Sequence, residues 1–163
     1  MKVIEQIHNI HLNLVTGWGL GTYPFGPHLV SLLAIGFMFF IQNVLHFRSR
    51  TVGVILLVLM ILIFLMNHCA RPHTDEQPLE TDDLVLNPLI GMMFAFFRIS
   101  IWLKLALFGF VLFHGIRSLQ QFIEIPRLNP PVTLSPTTYA FFDSIATGIA
   151  VNLFIRLTKW IMR

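Results

Sequence analysis

The chain has 163 residues, 55% of them hydrophobic and only 12% charged, against roughly 25% charged in a soluble domain, so the balance is that of a membrane protein. At about 20 apolar residues per bilayer crossing there is room for three or four helices with short connections, and none for a separate soluble domain. The net charge of +3 comes from basic residues scattered at segment ends, which gives nucleic acid nothing to bind, and the single Cys69 excludes an internal disulfide.

Residues 1–16 read as a short amphipathic helix lying in the interface, with Val3, Ile4, Ile7, Ile10, Leu14 and Val15 on one side and Glu5, Gln6, His8, Asn9 and Asn13 opposite. A lone lysine followed by mixed polar and apolar residues does not resemble a secretory leader, so no cleavage is expected. Gly17 to Pro27, GWGLGTYPFGP, is broken too often by Gly and Pro to be helical, and its aromatics suit the headgroup level. The first transmembrane helix is expected over residues 28–47, closed by Arg48 and Arg50.

The run from Thr51 to Asn67, TVGVILLVLMILIFLMN, contains no charge. A chain this small cannot surround it with core, so its solvent is hydrocarbon, and only a helix lets a single segment satisfy its own backbone there. The short join to the preceding span makes the two an antiparallel hairpin. Residues 68–87 hold five of the eight acidic residues (Asp75, Glu76, Glu80, Asp82 and Asp83) and read as an exposed outer loop.

Asn87 and Pro88 form a good helix start, and residues 88–114 are apolar except for Arg98 and Lys104, so a third span is expected there. As one helix it would be about 40 Å long and would carry both charges well inside its length. Residues 118–136 turn proline-rich and read as a cytoplasmic connection. Residues 137–163 form a fourth helix that either spans, packed through Ser144 and Gly148, or lies in the interface. Three crossings put Arg117 and Arg127 on the cytoplasmic side with Arg48 and Arg50. A fourth would carry Arg156, Lys159 and Arg163 outward, against the positive-inside rule. The expected fold is therefore an all-α integral membrane bundle of three transmembrane helices plus a C-terminal fourth, with no internal repeat to suggest an inverted-repeat transporter.

Ionisable groups inside a span cost about 2.5–3.5 kcal/mol each on insertion scales, which singles out Arg98, Lys104 and Asp143. They could form an intramembrane interaction or conduction site, with a Lys104–Asp143 pair at its centre. The blander reading is that the cations snorkel to an interface while the carboxylate sits near a helix start. His28 and His46 flank the first span, while His68 and His114 end the second and third, so antiparallel helices would put His28 level with His68 and His46 level with His114. That is the outline of a di-haem cytochrome b, but the spacing would leave both macrocycles at the water boundary, so no cofactor is expected. His68, Cys69 and His73 lack the fourth ligand of a zinc site. No HExxH, ordered Ser-His-Asp set, phosphate-binding glycine loop or embedded carboxylate pair is present.

Surfaces and isolated charges without a catalytic set point to a non-enzymatic polytopic protein of the bacterial inner membrane. It would act by contact with another membrane protein or a translocating complex, with homo-oligomers also open. In length and hydropathy outline the chain is similar to phage superinfection-exclusion proteins, though no motif carries the likeness, and plasmid entry-exclusion and bacteriocin-immunity proteins share the profile. The alternatives are a small transporter or proton-linked channel subunit and, third, a di-haem cytochrome b-like protein.

Overall fold

The computed structural model describes residues 13, 16, 17, 19, 20, 23, 25–69, 85–122 and 136–161. Most of the expected N-terminal helix, of the acidic loop and of the proline-rich connection lies outside them. Helix α1, Gly26–Phe39, has Pro27 in its first turn, where a missing N–H costs nothing, and runs on through one π-helical turn, Phe40–Val44. The two make a 19-residue apolar run. His46 then adopts φ +49°, the left-handed conformation that reverses a chain after a helix, and the Phe47 amide reaches back to the Ile41 carbonyl at 3.1 Å.

Helix α2, Ser49–Cys69, follows as the uncharged run requires. Its Leu57, Val58, Ile61, Leu62 and Leu65 are half exposed, a surface suited to lipid. Among the described residues three helical runs are long and apolar enough to cross a bilayer: Gly26–Val44, Ser49–Met66 and Thr138–Ile161. The protein is a multi-pass membrane bundle of five helices among the described residues, and the fourth helix expected from sequence is long enough to span.

The third segment corrects the expectation of one helix over 88–114. It is divided into α3, Leu86–Ala95, and α4, Leu103–Phe122, with Phe96 to Trp102 non-helical between them. Ten residues of α3 reach only about 15 Å, half a hydrocarbon core. The two helices run antiparallel: the Phe113 ring lies against Gly91, and the Phe96 ring occupies the place of a side chain on Gly109. Residues 86–122 are thus a helical hairpin. In its tip Arg98, Ser100 and Trp102 are exposed while Ile99 and Ile101 are buried, the period-two pattern of extended chain.

Helix α3 is the centre of the bundle, with Ile90, Met92, Met93 and Ala95 almost wholly buried. Helix α5, Pro136–Ile161, lies parallel to it and packs most extensively against it. At Gly91 and Gly148 the two backbones touch: a β-carbon on Gly148 would collide with the Gly91 carbonyl, and one on Gly91 with the Ser144 carbonyl. This close approach is what small residues permit between membrane helices, and it occurs at the Ser144 and Gly148 positions expected for packing. Phe64 of α2 against Phe141 of α5, and Gly53 of α2 against Phe97, complete the arrangement.

Because α3 and α4 form a hairpin, the ends of the bundle sort differently from the sequence expectation. Arg48, Arg50, Arg98, Lys104, Arg156 and Lys159 fall at one end, with Trp102 and Trp160 exposed among them. Arg117 and Asp143 fall at the other, near the exposed Tyr23, Phe25 and Tyr139. A spanning α5 therefore brings its basic residues to the side of Arg48 and Arg50, and the conflict with the positive-inside rule disappears.

Candidate functional site at the tip of the helical hairpin

A helix that stops inside a bundle leaves its last carbonyls without amide partners, and at membrane depth each must find another donor. Helix α3 ends on such donors from two neighbours. The Asn152 amide nitrogen, on α5, donates to the carbonyls of Phe94 at 3.1 Å, Ala95 at 3.0 Å and Phe97 at 2.9 Å. One turn later Arg156 donates from Nε to the Asn152 side-chain oxygen at 2.8 Å and from a terminal nitrogen to the Phe97 carbonyl at 3.3 Å. The guanidinium thus both orients the amide and sets a positive charge against the negative end of the α3 dipole.

From α1 come two more amides. Gln42 donates to the Phe96 carbonyl at 3.0 Å and Asn43 to the Ile101 carbonyl at 3.3 Å, pinning the tip on both sides of Arg98. Both lie in the π-helical turn, whose extra residue per turn changes the direction in which successive side chains point. Arg98 itself sits at φ +59°, a left-handed position usually given to glycine at a helix end. Between the α1–α2 connection and the tip lies an open pocket of about 230 Å³ lined by Gln42, Asn43, Ser49, Arg98 and Ser100 together with Phe47 and Val52.

The second polar group lies at the opposite end. Asp143 accepts from Gln120 Nε2 at 3.1 Å, and the Thr147 hydroxyl donates to Gln120 Oε1 at 3.5 Å. The expected Lys104–Asp143 pair does not form: Lys104 is in the first turn of α4, at the tip end, and Asp143 neighbours the last turns of that helix. Arg98 and Lys104 are both exposed at the tip, where the hairpin turns back.

The histidines pair differently too. His28 stacks on His114 with centroids 4.2 Å apart and rings 12° from parallel, edged by Phe110 and Phe113. Axial haem ligands must face each other across a macrocycle, and these two rings fill that space themselves. His46 lies at the other end, in the turn after α1, and the side chain of His68 is outside the described residues. Among the described residues no three His, Cys, Asp or Glu side chains come together as a metal site.

The chain matches no protein-family model, no curated protein and no solved structure. Of the residues that build the tip, the sequence singles out Arg98 by its charge. Gln42, Asn43, Asn152 and Arg156 look there like ordinary polar residues of a helix end or stripe. The signal that could have found the tip is the alternation from Arg98 to Trp102, which suits extended chain and not helix.

Proposed function

We propose that this is a non-enzymatic membrane protein that acts by contact within the bilayer, binding another membrane protein or a translocating complex. The role we propose for it is exclusion or immunity in a bacterial inner membrane: blocking phage superinfection, plasmid entry or a pore-forming bacteriocin. One observation carries this reading. The two polar groups sit at opposite ends of the bundle, and between them lies an apolar core of Met92, Phe96, Phe113, Val151 and Ile155, all fully buried, which among the described residues separates the two groups and favours contact over conduction. Ser31, Thr147 and Asn152 of the interior bond to the chain itself, and what faces outward along the spans is apolar surface suited to lipid or to another helix. The test is expression in a susceptible bacterium followed by challenge with phages, conjugative plasmids and pore-forming bacteriocins. Attenuation of one class of challenge is expected; unchanged sensitivity to all three overturns the role.

A transporter or channel subunit is the second reading, because discontinuous helices whose ends meet a polar pocket are how many transporters build their sites. Flux through liposomes containing the purified protein, lost in Arg98→Gln or Lys104→Leu, would establish it and displace the first. A tight bilayer would remove it.

A further inference from the structure

We propose that the pocket at the hairpin tip is a phosphate-binding site whose occupant in the membrane is the headgroup of an anionic phospholipid. The proposal does not depend on the contact role above.

The pocket is charged in one sense only. Arg98 lines it, and among the described residues Arg48, Arg50, Lys104, Arg156 and Lys159 are the other charges at that end, while Asp143, the one acid, lies at the other. Arg156 is committed to the end of α3, but Arg98 has no hydrogen bond or ion pair among the described residues. A basic end alone follows from membrane topology and asks for no ligand. What topology does not require is a pocket lined by an arginine whose backbone is fastened on both sides.

The pocket has such order. Gln42 and Asn43 fasten the backbone at Phe96 and Ile101, so the loop bearing Arg98 is fixed two residues before it and three after. The left-handed backbone at Arg98 would be cheaper with glycine, yet the chain places a five-donor guanidinium there. Ser49 and Ser100 add hydroxyl donors on the two walls. A planar fork that pairs bidentately with a tetrahedral oxyanion, with hydroxyls for the remaining oxygens, is the chemistry of phosphate recognition. The volume of about 230 Å³, many times the roughly 10–15 Å³ that one water needs on the same measure, admits a phosphate with part of its hydration. Depth identifies the source: the pocket lies where Val44 ends one span and Ser49 begins the next, beside the exposed Trp102, which is headgroup level.

The test titrates phosphatidylglycerol, phosphatidylcholine and inorganic phosphate separately into the detergent-purified full chain, reading the thermal midpoint and, by native mass spectrometry, retained lipid. Phosphatidylglycerol should raise the midpoint by several degrees and remain bound; phosphatidylcholine should do neither. Arg98→Gln should weaken phosphatidylglycerol binding at least tenfold, and Arg50→Gln, a charge loss at the same end outside the pocket, less than twofold. Arg98→Gly, which relieves the left-handed backbone, should keep or raise the lipid-free midpoint while losing the lipid response, separating binding from folding. An equal response to inorganic phosphate, lost in Arg98→Gln, would keep the phosphate site and overturn its assignment to lipid. Equal weakening by Arg50→Gln and Arg98→Gln, or no response to either anionic probe, would overturn the site.

Discussion

Asn152 and Phe97 are joined at 2.9 Å across 55 residues of sequence, and through this contact α5 holds the end of α3. The same amide nitrogen reaches the Phe94 and Ala95 carbonyls; Phe94 also accepts from the Phe97 amide and Phe97 from Arg156, so its loss falls hardest on the buried Ala95 carbonyl. Asn152→Ala is expected to cost roughly 1–3 kcal/mol, the range for leaving buried polar groups unsatisfied, measured by reversible unfolding in detergent. Asn152→Asp should be worse than alanine, because it aims carboxylate oxygens at carbonyl oxygens. An aspartate variant as stable as wild type would mean that the amide does not cap the helix.

The contact between Gly91 and Gly148 leads to a sharper contrast. A methyl group on Gly148 meets backbone, which cannot rotate away as a side chain can, so α3 and α5 must separate. Gly148→Ala should cost about 1–3 kcal/mol or more, the range for overpacking. Gly36, on an open face of α1 with nothing within 4 Å of a new β-carbon, supplies the control. There alanine should gain up to about 1 kcal/mol from helix propensity alone. Equal effects at the two positions would contradict the packing.

What the sequence reveals follows from where the information lies. The expectation of a span over 51–67 meets α2 at Ser49–Cys69, and that over 28–47 meets the run Gly26–Val44, because an unbroken apolar stretch has one stable answer in lipid. The break after Ala95 has no such mark: no Gly or Pro occurs from Phe94 to Trp102, and the phenylalanines and isoleucines there suit a membrane helix as well as an extended tip. The helix ends because remote side chains accept its termination. Gln42 is 54 residues away from its carbonyl partner and Asn152 nearly 60, and no local periodicity encodes such pairs. Arg98 was legible as an oddity by charge alone, whereas its left-handed backbone and its pocket exist only once the hairpin has turned.

The hairpin makes a topological prediction that one continuous third helix does not. Ser49 and Ser100 lie at the basic end and Ser118 at the other, all three exposed. In a Cys69→Ser background, single cysteines at 49 and 100 should react with an impermeant maleimide from the cytoplasmic side, and one at 118 only from the opposite side. A C-terminal fluorescent fusion should report the cytoplasm, the side favoured by Arg156 and Lys159. Labelling of positions 49 and 118 from the same face would restore the continuous helix.

Lys104 and Asp143 are the charges most readily paired on paper, and the bundle keeps them apart. Asp143 is bonded to Gln120, and Lys104 is sixteen residues from Gln120 on the same helix, about 24 Å along its axis. Over that distance, more than twice the Debye length at physiological salt, an interaction ending on an exposed ammonium is largely screened. A double-mutant cycle of Lys104→Leu with Asp143→Asn should therefore be additive within about 0.5 kcal/mol, while Gln120→Ala with Asp143→Asn should show coupling of about 0.5 kcal/mol or more. Coupling in the first cycle and none in the second would reverse the placement of α4 against α5, and with it the assignment of Lys104 to the basic end.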